Sequence, residues 1–313
     1  MNNSHGMNTF LLNRLRTSRY YRLLQYILPV FLLLLFGCQN LKTGNNLSET
    51  FSFIYMSDIQ ADPDTGDYTA LGELLSLAFS HESNPKLLIL GGDNVNTGSS
   101  AKEWETLLSS MQDIPDDATI ATVVGNHDNN QLIKGKFDHP SIEDGFFYTF
   151  TEGDIFFLML DSNAMGGGNM KDVEWLEKSL SQNNSEWSIA VCHHPFFMIS
   201  QIPKDINRSE VMRNKFLPVL ESTGVDLILC GHQHVYARTL PMLNGSSDKN
   251  GIVQIMTASG GKESYTATDT DYIVITKDAP VYLIVEIQGN NMLLTAFDAT
   301  GEAIDSIEIQ NRK

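Results

Sequence analysis

Five short motifs of carboxylate, amide and imidazole side chains stand out in this sequence. Such side chains supply the oxygen and nitrogen atoms that bind divalent and trivalent cations, and a neutral imidazole is a basic ligand that adds no charge. Five of the eight histidines lie inside these motifs, and four of the five motifs follow an apolar, β-rich run. The motifs are Ser57-Asp58-Ile59-Gln60, Gly91-Gly92-Asp93-Asn94, Gly125-Asn126-His127-Asp128, His193-His194-Pro195 and Gly231-His232-Gln233-His234.

Alternating strands and helices must position these motifs. Apolar runs predict strands over 51–56, 87–90 and 119–124, and apolar residues at helical spacing predict helices over 68–79 and 101–111. This alternation favours a largely parallel sheet, in which the motifs meet at one edge. Further strands are predicted over 146–151, 155–160, 188–192, 225–230, 251–257, 282–287, 292–298 and 303–309, with helices over 171–180 and 208–221.

The order of the motifs and their strand-end placement resemble the calcineurin-like metallophosphoesterase superfamily. Within it, the segment Gly231-His232-Gln233-His234-Val235-Tyr236 is similar to the purple acid phosphatase-like branch. The resemblance covers the chain from about Phe51 onward. It implies an α/β fold, a four-layer α/β/β/α sandwich of two mixed β-sheets flanked by helices, with metals at the strand ends.

The resemblance also implies a dinuclear metal centre. Two divalent or trivalent ions, drawn from Mn, Fe, Zn and Mg, would lie about 3.5–4 Å apart and clamp a displacement at phosphorus. The implied ligands are Asp58 and His234 in the first site, Asn126, His193 and His232 in the second site, and Asp93 as the bridge between the two ions.

The implied reaction is hydrolysis of phosphomonoesters or phosphodiesters of small molecules by a metal-bound hydroxide. His127 is not a ligand in this family; it would act as the general acid towards the leaving alkoxide, and Asp128 would orient its ring. His194 and Arg238 are candidate substrate contacts. Two alternatives stay open for them, a hydrogen bond behind the metal ligands for His194 and a partner carboxylate for Arg238.

Two positions depart from the family pattern. Gln60 stands where most members have a histidine ligand; as a weaker, harder ligand it predicts a looser first site or a preference for Mn²⁺ or Mg²⁺ over Zn²⁺. Purple acid phosphatases have a tyrosine ligand three residues after the bridging aspartate, where this chain has Asn96. We therefore expect no tyrosinate-to-iron colour. Gln60 also leaves an alternative function, a catalytically weak protein that binds phosphate or metal.

The net charge of the chain limits its partners. It holds 21 basic and 38 acidic residues, a formal charge of −17, and the part after residue 37 carries −21 because residues 1–37 contain four arginines and no acid. Such a surface repels nucleic acid at long range. We expect a small phosphoester substrate and no nucleic acid partner, since bound cations invert the field locally. The pattern does not predict an oligomeric state.

The N-terminal segment differs from the rest. An apolar run over 23–36 is too short to span a bilayer comfortably and ends in Leu35-Phe36-Gly37-Cys38. This resembles a bacterial lipoprotein signal, which implies diacylation of Cys38, export, and membrane attachment on the periplasmic or surface face of the cell envelope; an uncleaved anchor helix is the alternative. The predicted units are a signal peptide over 1–37, a flexible tether over 38–50 and a metallophosphoesterase domain over 51–313.

Cys192 and Cys230 each precede a motif histidine at the end of a predicted strand. Two buried thiols are the favoured interpretation. A disulfide stays open, because an exported protein can form one and adjacent strands would bring the pair close.

Overall fold

The computed structural model describes residues 50–312 apart from 63, 129, 134–135, 138–145 and 269. The predicted signal peptide, the lipidation site at Cys38 and the tether up to residue 49 lie outside the described residues. None of the helices within the described ranges is long and apolar enough to cross a bilayer.

The described chain alternates strands and helices up to β7 and is mainly β afterwards. In chain order the elements are β1 (Phe51–Met56), α1 (Thr69–Phe79), β2 (Leu87–Leu90), α2 (Ala101–Ser110), β3 (Thr119–Thr122), α3 (Asn130–Ile133), β4 (Tyr148–Glu152), β5 (Ile155–Leu160), α4 (Ser162–Met165), α5 (Met170–Ser181), β6 (Trp187–Cys192), α6 (Pro203–Lys215), α7 (Leu217–Ser222), β7 (Leu227–Cys230), β8 (Val235–Thr239), β9 (Met242–Leu243), β10 (Ser246–Ser247), β11 (Val253–Met256), β12 (Ile273–Asp278), β13 (Val281–Gln288), β14 (Asn291–Asp298) and β15 (Ala303–Gln310).

Two large mixed sheets contain most of these strands. The six-stranded sheet has the order β15-β14-β13-β1-β2-β3, and the seven-stranded sheet has the order β12-β8-β11-β7-β6-β5-β4. Each sheet contains neighbouring parallel strands, β1 beside β2 in one and β6 beside β7 in the other. These strands are short apolar runs, as expected where both faces of a sheet are covered.

Three apolar layers hold the elements together. The layer between the sheets is formed by side chains such as Phe53, Phe157 and Leu229. A second layer packs α1 and α2 on the six-stranded sheet, and a third packs α5, α6 and α7 on the seven-stranded sheet. The result is a helix, sheet, sheet, helix arrangement, so the predicted four-layer sandwich of two mixed sheets is confirmed.

The structure differs from the predicted elements in several places. The helix predicted over 208–221 is two helices, because Pro218 lies at the start of α7 and lacks the N–H that a continuous helix needs. The strands β8, β9, β10 and β12 and the four-residue helices α3 and α4 were not predicted. In β12 the side chains of Lys277 and Asp278 are exposed, as is common on an edge strand, and this obscures the apolar alternation.

Candidate metal centre

The predicted ligands follow the carboxyl ends of parallel strands in both sheets. Asp58 follows β1, Asp93 follows β2, His193 follows β6 and His232 follows β7. Backbone contacts join these ends: Asp58 N–H donates to the carbonyl of Gly92 (3.0 Å), and His232 N–H donates to Asp58 Oδ2 (2.8 Å). The carboxyl edge of a sheet of this kind is where ligands bind.

The side chains converge into two overlapping groups. Candidate ligand atoms of Asp58, Asp93 and His193 lie within 4.8 Å of one another, and so do those of His193, His194 and His232. His193 Nε2 is 3.4 Å from Asp93 Oδ2. On the other side of Asp58, its Oδ1 is 3.6 Å from His234 Nε2. His193 therefore belongs to both groups, as expected for two neighbouring cation sites.

The backbone is strained at four of the predicted ligands. Asp58, Asp93, His232 and His234 have φ values of 49°, 53°, 78° and 49°, in the left-handed region that side chains with a Cβ disfavour. Two further non-glycine residues share this conformation within the described ranges. Strain of this kind costs folding free energy and clusters at functional sites, where it aims side chains.

Glycines let the strand ends approach this closely. A Cβ on Gly231 would collide with Ser57 Oγ and Asp58 Oδ2, and a Cβ on Gly125 would collide with the carboxylate of Asp93. Gly92 has a φ of 86° and therefore turns the chain as the sequence suggests. At Gly231 and Gly125 it is the lack of a side chain, rather than a positive φ, that the site requires.

Each predicted imidazole ligand has one ring nitrogen bonded to a protein acceptor. Because a carbonyl or carboxylate oxygen accepts, that nitrogen carries the proton of the neutral ring, and the lone pair of the neutral ring lies on the other nitrogen. The acceptors fix Nε2 as the free nitrogen in His193 and His234, and Nδ1 in His232. The bonds are His193 Nδ1 to Gly91 O (3.0 Å), His234 Nδ1 to Glu263 O (3.0 Å) and His232 Nε2 to Asp205 Oδ2 (2.8 Å).

Two buried atoms show that this donor set fits a cation. Asp58 Oδ2 accepts from Ser57 Oγ (2.8 Å) and from His232 N–H, whereas Asp58 Oδ1 is buried with no hydrogen-bond partner. His193 Nε2 is likewise buried without one. Unpaired buried polar atoms cost free energy, and a bound cation would satisfy both. Oxygen and imidazole donors are those that first-row divalent ions bind.

The electrostatics of the buried groups agree with this fit. Burial raises the pKa of Asp58 to about 7, and the neighbouring Asp93 adds to the shift. Burial would lower the pKa of His193, but Asp93 and Asp58 overcome it and raise that pKa to about 9. Burial lowers the pKa of His234 to about 4, and it lowers the pKa of His232 as well. Both rings are therefore neutral and can donate a lone pair to a cation.

His127 and Asn126 lie at the exposed mouth of the site, between Gly125 and Asp128. The ring of His127 donates from Nδ1 to the carbonyl of Asn96 (2.8 Å), and its backbone N–H donates to Asp93 Oδ1 (2.8 Å). The loop that supplies this carbonyl is fixed by Glu103, which accepts from the N–H groups of Asn96 and Thr97.

The structure gives Asp128 a different partner from the one expected. Its carboxylate accepts from the backbone N–H groups of Asp93, Asn94 and Gly125, each at 2.9 Å. The ring of His127 is instead oriented by Asn96. Asp128 thus joins the ends of β2 and β3, because three orphan N–H groups converge there and compete for the carboxylate.

Gln60 lies beside the first group of ligands and is fully buried. One of the two terminal atoms of its amide group lies 3.4 Å from His234 Nε2, and the same atom also faces Lys262 Nζ. An ammonium only donates, so this position is the carboxamide oxygen, 3.1 Å from Lys262, and the nitrogen donates to Val95 O at 3.2 Å. The side chain of Asn96 donates to Ala61 O (2.7 Å).

The candidate substrate contacts occupy different environments. His194 is buried, its Nδ1 is 2.9 Å from Ser162 Oγ, and its ring lies 4.2 Å from that of His232. The guanidinium of Arg238 forms hydrogen bonds of 2.6 and 2.9 Å with the carboxylate of Asp305. Of the two alternatives for Arg238, the structure therefore shows the partner carboxylate.

Cys192 and Cys230 are buried free thiols, which is the interpretation that the sequence favoured.

Sequence reasoning missed two residues of the site, Asp205 and Lys262. Asp205 lies in the first turn of α6, and Lys262 lies in the loop between β11 and β12. Neither belongs to a metal-binding motif. Only the fold brings them to His232 and Gln60.

The comparisons with known proteins agree with this geometry. The family model of the calcineurin-like phosphoesterases matches residues 51–236, and the chain belongs to this family. Purple acid phosphatase 15 of Arabidopsis thaliana is 25% identical over 181 residues, which are 53% of this chain and 34% of that protein. Purple acid phosphatase 18 of the same plant is 25% identical over 55% of this chain and 43% of its own length. The chain therefore spans well under half of these curated relatives.

Solved structures share the fold. A purple acid phosphatase from yellow lupin seeds superposes with a TM-score of 0.72 at 16% identity, over 83% of this chain and 54% of that one. GAP50, described as the anchor in the inner membrane complex of Plasmodium, superposes with a TM-score of 0.66 at 18% identity, over 84% of this chain and 90% of that one. The chain is thus a member of the metallophosphoesterase superfamily that resembles its purple acid phosphatase branch.

Replacement of Asp205 tests how the His232 ring is held. Asp205→Asn removes the charged acceptor for His232 Nε2–H, and such partners of metal-bound histidines contribute roughly 10–100-fold to metal affinity. We expect a loss of that size for one of two ions in a calorimetric titration. Glu210→Gln, at an exposed position of the same helix, is the control. Full affinity for both ions in Asp205→Asn would contradict the proposed orientation of His232.

The stabilisation by metal should increase with pH. The metal-free pKa values of Asp58 and His193 are both raised, so their protonated forms favour the folded state, and the contribution of these two groups to metal-free stability falls as pH rises from about 4 to about 9. A cation must displace the same protons, so it binds better as they leave. The difference in Tm between metal-loaded and chelator-treated protein should widen between about pH 6 and about pH 8. A constant or shrinking difference would show that these groups do not bind the metal.

Proposed function

We propose that this protein hydrolyses phosphomonoesters or phosphodiesters of small molecules with the help of two metal ions. The observation that carries the proposal is the convergence of Asp58, Asp93, His193, His232 and His234 at the strand ends of both sheets. Two of their buried atoms have no partner within the protein. Family membership supports a phosphoesterase, while the substrate class and the mechanism are our proposal.

The residues divide into those that hold the cations and those that face the substrate. Asp58 and His234 would hold the first ion, Asn126, His193 and His232 the second, and Asp93 would bridge them; Gln60 is close enough to His234 to assist at the first site. When bound, the ions would neutralise phosphoryl oxygens and acidify a water molecule. The chain itself orients these ligands and fixes the tautomer of each imidazole.

His127 is the candidate proton donor. Its ring is exposed at the mouth of the site, and Asn96 O fixes the orientation through Nδ1. The Nε2 atom, which lies 3.4 Å from the ammonium of Lys262, is then the ring atom that can hold a proton for the leaving oxygen of the ester. Glu103 and α2 keep this arrangement rigid by fixing the loop at Asn96.

We also propose that the protein acts outside the cytoplasm, attached to the cell envelope through lipid on Cys38. The support is the arginine-rich, apolar and cysteine-terminated pattern of the first 38 residues. The net negative charge of the remainder disfavours nucleic acid as a substrate.

Activity measurements separate the proposed enzyme from the alternative, a weakly catalytic protein that binds phosphate or metal. The alternative draws support from the carboxamide oxygen of Gln60, which accepts a hydrogen bond from the ammonium of Lys262. The metal-loaded protein is assayed with p-nitrophenyl phosphate and bis-p-nitrophenyl phosphate after addition of Mn²⁺, Zn²⁺ or Fe²⁺. Turnover that a chelator abolishes and metal restores is the expected result. Phosphate binding without turnover under any of these conditions would favour the alternative.

Removal of the His127 ring tests the role of the proton donor. His127→Ala should lower turnover roughly 10²–10⁴-fold on an alkyl phosphate, whose leaving group needs a proton, and much less on p-nitrophenyl phosphate. The metal content should stay that of the wild type. His81→Ala is the control, because His81 precedes the amino end of β2, whereas the metal centre follows its carboxyl end. Equal losses on both substrates would assign His127 a role other than proton donation.

A further inference from the structure

Lys262 is held at the mouth of the metal centre by its own backbone. The segment over 259–263 lies against the loop after β1, because Ser259 N–H donates to Ser57 O (2.8 Å) and Gly261 N–H donates to Gln60 O (3.1 Å). On the other side of Lys262, the carbonyl of Glu263 accepts from His234 Nδ1 at 3.0 Å. The position of Lys262 is therefore fixed to the same residues that form the first cation site.

A glycine is needed for this close packing. A Cβ on Gly260 would collide with the backbone carbonyl oxygens of Asp58 and Gln60. The approach of the two loops leaves the Lys262 side chain half-buried, and it lines an open groove of about 770 Å³ together with His234 and Tyr265. This groove is the adjoining space into which a substrate can extend.

The ammonium of Lys262 contacts two side chains of the site. It lies 3.1 Å from the carboxamide oxygen of Gln60 and 3.4 Å from Nε2 of His127. Lys262 takes part in none of the ion pairs formed by the described residues. Since an ammonium has three N–H donors, one remains available for an incoming acceptor.

The nearby carboxylates act on Lys262 only from a longer distance. Asp93, Asp58 and Glu103 attract its charge, although burial, the larger effect, lowers its pKa. The carboxylates of Asp93 and Asp58 would be neutralised by the cations that the proposed function requires. Glu103 already accepts from the N–H groups of Asn96 and Thr97, and the acidic residues Asp62, Asp64 and Glu263 line the same groove without forming an ion pair with Lys262. A direct anionic partner for this half-buried cation is therefore one that the substrate can supply.

We propose that Lys262 binds a phosphoryl oxygen of the substrate and makes the site selective for phosphomonoester dianions over phosphodiesters. This rests on the proposed function and extends it. A monoester dianion has one more negative charge and one more free oxygen than a diester, so a fixed cation beyond the two metal ions favours it. Gln60, at the position where most family members have a histidine, acts here as the acceptor that orients the ammonium.

The experiment compares Lys262→Gln and Lys262→Arg with wild-type protein, all loaded with Mn²⁺. Lys277→Gln, at an exposed position of β12, is the control. Metal content by elemental analysis, inorganic phosphate affinity by calorimetry, and kcat/KM for p-nitrophenyl phosphate and bis-p-nitrophenyl phosphate are measured for each. Thermal unfolding verifies that the variants fold.

We expect unchanged metal content in Lys262→Gln, with phosphate affinity lower by about 10-fold or more and the monoester-to-diester ratio of kcat/KM lower by a similar factor. Lys262→Arg should recover part of both, and Lys277→Gln should match the wild type. Wild-type phosphate affinity and ester ratio in Lys262→Gln would overturn the proposal. Loss of metal in proportion to phosphate affinity would also overturn it, because Lys262 would then support the cations.

The outcome also separates this inference from the proposed function. If the metal-loaded wild type hydrolyses neither ester but its phosphate affinity depends on Lys262, then Lys262 is a phosphate-binding residue in a protein that is not an esterase. If turnover is present and does not depend on Lys262, the phosphoesterase stands without this selectivity.

Discussion

Two buried carboxylates at the ends of adjacent parallel strands dominate the energetics of this site. Asp58 and Asp93 are each 1% exposed. In water-excluded surroundings like charges destabilise the fold unless cations or protons neutralise them. Without metal, the raised pKa values of Asp58 and His193 show that protons take this role. The site is therefore built at a cost that bound cations would offset.

The rest of the fold supplies what the two carboxylates need. Both sheets contribute strand ends, so the ligands of each cation come from segments far apart in sequence, and the apolar layer between the sheets fixes their distance. The left-handed backbone at four ligands, and the glycines where the strand ends approach one another closely, lower the stability of the fold locally. The sandwich tolerates them because the strands that lead to Asp58, Asp93 and His232 are largely buried and apolar.

Much of this architecture could be predicted from the sequence. Short apolar strands followed by metal-binding residues are local signals, which is why the strands leading to Asp58, Asp93, His193 and His232 were placed correctly. Arg238 shows the limit of such signals: residue type allowed phosphate or carboxylate, and only the packing of β8 near β15 identified Asp305. The partner of Asp128 was wrong for the same reason, since competing N–H groups are visible only in three dimensions.

Asp205 and Lys262 are residues of the site that no sequence pattern predicts. Each acts through a contact with a motif residue, and neither lies in a motif of its own. Their positions depend on the docking of α6 and of the loop after β11, which long-range packing determines. In the proposed function, residues of this kind would adjust the metal centre, Asp205 by orienting the His232 imidazole and Lys262 by adding a positive charge.

The central claim is that these side chains surround a pair of cations. Anomalous diffraction from crystals of metal-loaded protein tests it most directly. The account predicts two peaks about 3.5–4 Å apart, on either side of Asp93, one next to Asp58 and His234 and the other next to His193 and His232. A single peak, or peaks away from Asp93, would contradict it.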